Sequence, residues 1–270
     1  MNSGIFQSFV LGIIQGLGEF LPISSTAHLA IVPYFFHWKD PGLSFDVALH
    51  IGTLIAVVAY FWKEWIMIFE LAFKKQVQNS KFKVQSYGKN TLWLIVIATV
   101  PGVLAGYFLE KDAETIFRNP LLIAFALAFA GLILYLADKY AKQGEGMEGI
   151  NLKKALVVGL SQAVAIVPGV SRSGATITAG LFTGLDRKSA ARFSFLLSTP
   201  IIFGAVALKL PYLWQRGLNP SMIIGILSST VSGYLAIKYL IKFLENYSYK
   251  IFFWYRIFLA VAIILFIVSK

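Results

Sequence analysis

Long apolar runs separated by short polar stretches organise this chain. Six of them are uninterrupted, at roughly 44–63, 90–109, 120–137, 189–208, 221–242 and 250–268. An α-helix needs about 20 apolar residues to cross the hydrocarbon core of a bilayer, so each run is predicted to be a transmembrane helix. Two further stretches, 5–34 and 152–185, are apolar enough to enter the bilayer but carry a Pro and a Ser/Thr/Gly cluster near the middle. Such breaks free backbone groups that lipid cannot satisfy, and non-helical backbone at that depth has to be buried in protein or line a wet cavity. Both stretches are therefore predicted to be re-entrant helix pairs in an all-α, polytopic membrane protein.

The pattern repeats weakly. Gly12-Ile-Ile-Gln15 leading to Pro22 and a Ser pair matches Gly159-Leu-Ser-Gln162 leading to Pro168 and its own Ser pair. Further on, Phe45-Asp-Val-Ala-Leu49 matches Phe193-Ser-Phe-Leu-Leu197, and Ala105-Gly-Tyr-Phe resembles Ser232-Gly-Tyr-Leu. Each half then reads as one re-entrant pair and three crossings. Because three is odd, the second copy is inverted, an arrangement that places a site near the midplane where the copies meet. A single membrane domain, 1–270, is expected, with repeat one at about 1–140 and repeat two at about 150–270.

Composition agrees with this picture: of 270 residues, 57% are hydrophobic and 14% charged, and the mean hydropathy is +0.71, outside the balance of a soluble domain. The net charge of +11 does not form a nucleic-acid footprint, since Lys and Arg sit in short segments between spans. Lys63, Lys74, Lys75, Lys81, Lys83, Lys89, Lys139, Lys142, Lys153, Lys154, Arg187, Lys188, Lys238, Lys242 and Lys250 fall on one side; Lys39, Lys111, Arg118, Lys209, Arg216 and Lys270 fall on the other. The positive-inside rule makes the richer side cytoplasmic. Both termini are then outside, with the first hairpin entering from the outer face and the second from the cytoplasm. Trp62 to Lys75, rich in aromatics and Lys, is expected to be a partly interfacial amphipathic helix. There is no Cys, which excludes disulfides and thiolate metal sites. The Met1-Asn-Ser-Gly-Ile-Phe6 start lacks a basic n-region, so no removable signal peptide is expected.

Ionisable groups within a span are costly and mark functional positions. Glu19 follows Gln15 by four residues, which puts both on one helix face. It either pairs with Arg172 to join the hairpins or serves as a metal ligand or proton acceptor; Mg²⁺ or Ca²⁺ suits carboxylate, amide and phosphate oxygens. After Pro22 the helix should break and restart at Ser24, Ser25 and Thr26, residues that favour caps. The restart aims unpaired N–H groups into the membrane, a ready anion site. His28 lies three residues beyond Ser25, a spacing that lets a base activate a nucleophile; an interhelical hydrogen bond is the plainer role. In the second hairpin, Pro168-Gly-Val-Ser171-Arg172-Ser173-Gly174-Ala-Thr176 offers hydroxyls, a helix N-terminus and a permanently charged guanidinium, so phosphate is the expected ligand. Asp46 and His50 are read as an interfacial hydrogen bond, and Arg192 and Arg256 as snorkelling or interhelical anchors.

With these residues in place, the chain resembles the undecaprenyl-pyrophosphate phosphatase family of the bacitracin-resistance type. The match is carried by Gln15-Gly-Leu-Gly-Glu19-Phe-Leu-Pro-Ile-Ser-Ser-Thr-Ala-His28 and Pro168-Gly-Val-Ser-Arg-Ser-Gly-Ala-Thr176, supported at Phe45 to Trp62, Phe193 to Pro200 and Tyr255-Arg256. The resemblance implies a bacterial inner-membrane enzyme that hydrolyses a polyprenyl pyrophosphate to the monophosphate carrier reused in cell-wall synthesis, with a divalent cation as cofactor. By the charge count the first hairpin opens outward, so the active site is expected to open to the outer face. Carried onto these positions, Ser25 is the nucleophile with His28 as its base, or a water activated by His28 takes the place of Ser25. Arg172 with Ser24, Thr26, Ser171, Ser173, Gly174 and Thr176 holds phosphate oxygens, and Glu19 and Gln15 hold the metal. Gln15 stands where other members carry Glu, which puts a two-carboxylate metal site in doubt, and Ala27 stands where Gly is frequent. The other reading of the same architecture is a polyprenyl-phosphate transporter or flippase. The phosphatidic-acid phosphatase type is excluded because no His follows Arg172. A homodimer is compatible with all of this.

Overall fold

Helix starts are written into the sequence with little ambiguity. Asn119, Asn151, Asp186 and Asn219 each turn a side-chain oxygen onto the first free backbone N–H groups of a helix, a cap that contributes about 1 kcal/mol. Pro120 and Pro220 then occupy the first helical turn, where the missing N–H costs nothing. A computed structural model describes residues 3–39, 42–73, 87–114, 119–217 and 219–269 of the protein. Among them run ten α-helices: α1 Ser3–Phe20, α2 Ser25–Phe35, α3 Leu43–Phe73, α4 Thr91–Glu114, α5 Pro120–Tyr140, α6 Leu152–Val164, α7 Arg172–Phe182, α8 Arg187–Arg216, α9 Pro220–Phe243 and α10 Lys250–Val268. No strand is present among the described residues, only an isolated bridge between Glu145 and Leu185.

Six helices are long and apolar enough to cross a membrane: Ser44–Phe73, Thr91–Leu109, Pro120–Tyr140, Arg187–Pro211, Pro220–Phe243 and Lys250–Val268. They coincide with the six uninterrupted runs. One boundary differs: α3 continues to Phe73 without a break, so residues 62–73 extend the span and are not a separate interfacial helix. Neither Gly nor Pro interrupts Phe61 to Phe73, and without one the hydrogen-bond ladder has no reason to stop. Lys74, Lys75, Lys81, Lys83, Arg118 and Lys270 of the charge pattern, and Met1 and Asn2 of the N-terminal start, lie outside the described residues.

The two interrupted stretches form the helix pairs α1/α2 and α6/α7, each ending in an 11-residue helix. Their turns share a feature. Ser24 and Ser171, the two N-caps, both adopt a positive φ, 71° and 70°, a left-handed conformation that costs an L-residue on the order of 1–3 kcal/mol. Gly169, at φ 101°, sits so close to α5 that an added Cβ would lie 2.7 Å from the Ile123 carbonyl oxygen.

Small residues let the pairs approach their neighbours. Gly12 and Gly16 of α1 lie on α9, where a Cβ at Gly16 would come within 2.6 Å of the Ser229 carbonyl oxygen. Ser229 donates to the Leu49 carbonyl (3.0 Å), which ties α9 to α3. In the same manner Gly159 of α6 abuts Ala98 of α4, and Gln162 Nε2 donates to the Ala98 carbonyl (3.0 Å). Close backbone contact of this type replaces the hydrophobic drive that helices lack in lipid. Aromatic packing fills the space between, with Phe20 and Phe195 edge to face at 5.5 Å. Two ionic knots, each built on a buried carboxylate, hold the spans. Glu64 of α3 accepts from Arg192 of α8 (2.6 Å) and from Tyr87. Asp138 of α5 accepts from Arg187 (2.5 Å) and from the Tyr249 backbone N–H (2.9 Å). Arg192 is thus an interhelical anchor. Arg256 is not a snorkelling residue: it is 0% exposed, and its Nη2 donates to the carbonyls of Gly169 (2.6 Å) and Val170 (2.7 Å). Seven residues into α10, it is turned inward to satisfy the carbonyls that the break before α7 leaves open.

Candidate active site

The turns of the two helix pairs face each other and are cross-linked. Ser24 Oγ accepts the backbone N–H of its own helix at Ala27 (3.4 Å) and, across the interface, that of Gly169 (3.2 Å). Ser173 Oγ donates to the Leu21 carbonyl (3.1 Å) in the opposite turn. Between them lies Glu19, at the last turn of α1 and 8% exposed. One carboxylate oxygen, Oε2, accepts from Ser25 Oγ (3.0 Å) and from Gln15 Nε2 (3.1 Å). The other, Oε1, accepts from Arg172 Nη2 (3.1 Å). A single carboxylate therefore joins the hydroxyl of one helix start to the guanidinium of the other.

Arg172 is held from behind: its Nη1 donates to the Ser194 carbonyl (3.2 Å), and Ser194 Oγ lies 2.6 Å from Thr176 Oγ1. Ser171 caps α7 by accepting from Gly174 N–H (3.1 Å), with Ser173 Oγ 3.2 Å away. Ser24 and Thr26 hydroxyls are 3.2 Å apart. His28 is anchored at both nitrogens, Nδ1 to the Ser24 carbonyl (2.7 Å) and Nε2 to Tyr255 Oη (2.6 Å). A carbonyl can only accept, so Nδ1 carries the proton and Nε2 of the neutral ring receives the phenol's.

A cavity of about 700 Å³ opens onto this group. Glu19, Ser24, Ser25, Thr26, Ser171 and Arg172 give it a polar end, while Leu29, Ile31, Ile123, Ile202 and Val206 give it an apolar wall. Gln15, His28, Ser173, Gly174 and Thr176 are not in its lining. The Ser25 hydroxyl is given to Glu19, and the His28 ring folds back over its own N-cap carbonyl toward Tyr255, so the expected pairing of hydroxyl with imidazole is not the one adopted. Asp46 and His50 also line the cavity, but His50 Nδ1 bonds the Asp46 backbone carbonyl (2.8 Å), an ordinary i to i+4 contact.

No three His, Cys, Asp or Glu side chains cluster as a metal site among the described residues. Gln15 Oε1 is nevertheless buried without a hydrogen-bond partner beside the Glu19 carboxylate. Gln15 Nε2 is the atom that faces Glu19 Oε2; with the amide turned over, Oε1 would take its place, and the two oxygens would then suit a hard divalent cation whose remaining ligands are phosphate oxygens and water. Three residues join the site that did not stand out in the sequence. Tyr255 and Ser194 lay in stretches that only supported the family resemblance. Gly18 packs so tightly on the start of α2 that an added Cβ would lie 2.8 Å from Ser25 Cα; it stood within the first motif, but as one of four glycines in α1 it gave no signal of this contact.

Residues 8–262 match the protein family described as bacitracin resistance protein BacA. The undecaprenyl-diphosphatase of Moorella thermoacetica is 51% identical over 96% of this chain and 97% of its own length. That of Caldicellulosiruptor bescii is 46% identical over 97% of each chain, and that of Gemmatimonas aurantiaca is 41% identical over 98% of this chain and 99% of its own.

Proposed function

This chain belongs to the bacitracin resistance BacA family, and from that premise we propose that the cavity between the two turns is the catalytic centre of an undecaprenyl-diphosphatase. The enzyme hydrolyses undecaprenyl diphosphate to undecaprenyl phosphate and inorganic phosphate, returning the lipid carrier to cell-wall synthesis. One observation carries the assignment to this cavity: the Glu19 carboxylate that bridges Ser25 and Arg172 at its polar end. The apolar wall lets the polyprenyl tail remain in a lipid-like environment while the diphosphate reaches the two helix starts.

Phosphoryl transfer is achieved mainly by positioning and charge stabilisation. The incoming terminal phosphate draws Arg172 away from Glu19, and the freed carboxylate takes the Ser25 proton as Oγ attacks phosphorus. An Oγ–P bond forms, the P–O bond to the inner phosphate breaks, and undecaprenyl phosphate leaves with the bond electrons. Water then attacks the phosphoserine. His28 Nε2 receives the water's proton, phosphate departs as Ser25 Oγ takes back the proton held by Glu19, and His28 gives its proton to solvent, which restores the starting site. Thr26, Ser171 and the N–H groups opening α2 and α7 hold phosphate oxygens, and Ser173, Gly174 and Thr176 keep that cradle in shape. A divalent cation would rest on Glu19 and Gln15 and would supply charge neutralisation on the diphosphate.

We place the whole chain in one membrane domain made of two inverted copies whose helix pairs are re-entrant. The equal Ser caps support this, as does α1 lying on α9 while α6 lies on α4. The positive-inside count supports an orientation with both termini, and the mouth of the active site, on the outer face. Incubation with polyprenyl diphosphate labelled in its terminal phosphate tests the chemistry: label should be trapped on Ser25, accumulate in His28→Ala and be absent from Ser25→Ala. Full turnover by Ser25→Ala would refute the serine route.

A further inference from the structure

Trp254, Tyr255 and Phe258 stand together on α10 with much of their surface exposed, and an aromatic residue so placed ordinarily belongs to the lipid boundary. Tyr255 departs from that role in its polar end. Its hydroxyl reaches across 227 residues of sequence to His28 Nε2 at 2.6 Å, and its ring lies nearly parallel to the imidazole, with 13° between the planes and 5.7 Å between centroids. The next residue, Arg256, is fully buried and fixed to the carbonyls of Gly169 and Val170. Its stem packs on Gly131, where an added Cβ would lie 3.3 Å from Arg256 Cβ. The register of α10 is therefore set by Arg256, and Tyr255 is presented to His28 by a rigid neighbour. Two consecutive residues of one helix each hold one of the facing turns.

We propose that Tyr255 is a positioning residue of the catalytic centre, whose hydroxyl locks the His28 ring in orientation and keeps its Nε2 unprotonated until water takes the hydroxyl's place. The inference rests on the reading of His28 as the base of the second half-reaction. The Ser24 carbonyl alone would hold the ring at one nitrogen, about which it could tip. With a donor on the far side, both the tautomer and the plane are fixed. The cost of losing such a contact is expected in turnover, since Tyr255 does not line the cavity.

Phosphate release from undecaprenyl diphosphate in detergent, measured for Tyr255→Phe, His28→Ala, the double variant and Trp254→Phe, tests this. Tyr255→Phe removes one oxygen and keeps the ring. It should lower kcat about tenfold with KM changed less than about twofold, a part of what a general base contributes. The double variant should match His28→Ala within about twofold, because a residue acting through His28 has nothing to act on once His28 is gone. Trp254→Phe should behave as wild type. Wild-type turnover by Tyr255→Phe beside an inactive His28→Ala would overturn this inference alone, as would losses that multiply in the double variant. Wild-type turnover by His28→Ala would overturn the role of His28 and this inference with it.

Discussion

Replacing Gly18 by Ala adds one methyl group to α1 at the point where α2 begins. The new Cβ would lie 2.8 Å from Ser25 Cα and 3.1 Å from its Cβ and N. Carbon atoms in contact rest about 3.5–4.0 Å apart, so the start of α2 has to move by about 0.7–1.2 Å. Ser25 Oγ is now 3.0 Å from its acceptor on Glu19, and a shift of that size takes it out of hydrogen-bonding reach and off the line of attack. Misplacing a reacting group by about 1 Å costs about 10²-fold in rate. Helix propensity opposes any loss, since Ala is favoured over Gly by about 1 kcal/mol within a helix, while overpacking costs about 1–3 kcal/mol. Stability should therefore change by no more than about 2 kcal/mol. Initial rates of phosphate release at saturating undecaprenyl diphosphate, with thermal unfolding alongside, should show kcat about 100-fold lower and the unfolding midpoint nearly unchanged. Gly106→Ala is the control, because its Cβ would meet nothing within 4 Å. A Gly18→Ala protein whose kcat stays within about threefold of wild type would refute the placement of Ser25 in the reaction.

Arg172→Lys keeps the charge but cannot span both Glu19 Oε1 and the Ser194 carbonyl; kcat/KM should fall at least about tenfold, and equal activity of the two proteins would argue against a guanidinium-specific role. Gln15→Glu places a second carboxylate about 3 Å from Glu19 Oε2 and raises local negative charge, so the divalent cation concentration for half-maximal activity should fall; metal titration after chelation checks this, and an unchanged midpoint would remove position 15 from the cation site. Asp138→Asn weakens the knot with Arg187 and Tyr249. Arg187 is partly exposed, which screens the pair, so a loss of about 1–3 kcal/mol in stability is expected with kcat intact at low temperature; thermal inactivation at wild-type rates would contradict it.

The six long spans were legible because length and apolarity alone decide them; α3 ran past its expected end because no residue after Phe61 could stop it. The break at each helix pair was legible too, since Pro22 and Pro168 followed by Ser-rich caps leave few alternatives. Glu19, Ser25 and Arg172 could be named from spacing and chemistry, and the cavity brings them together. Which hydroxyl meets which base was not legible. An i to i+3 spacing puts Ser25 and His28 on one face, yet a side chain on a helix points toward the N-terminus, which aims the His28 ring at the Ser24 carbonyl. Its second partner comes from Tyr255, and no local pattern announces a contact 227 residues away. Arg256 was left between two roles for a related reason: a charge within an apolar span fits snorkelling and interhelical anchoring alike until the carbonyls it serves are seen, and those carbonyls make it an anchor.

Arg256 also bears on how the protein is made. A guanidinium near the middle of the last transmembrane segment costs about 2.5–3.5 kcal/mol to insert on its own, and no carboxylate among the described residues neutralises it. Its two carbonyl partners are presented only once α6 and α7 have turned and docked, so α10, which packs on α5, gains its full hold only when that turn is in place. A nascent chain with a damaged second turn would leave its C-terminal segment poorly retained in the bilayer, exposed to membrane proteases and cleared before it could compete with intact enzyme for lipid.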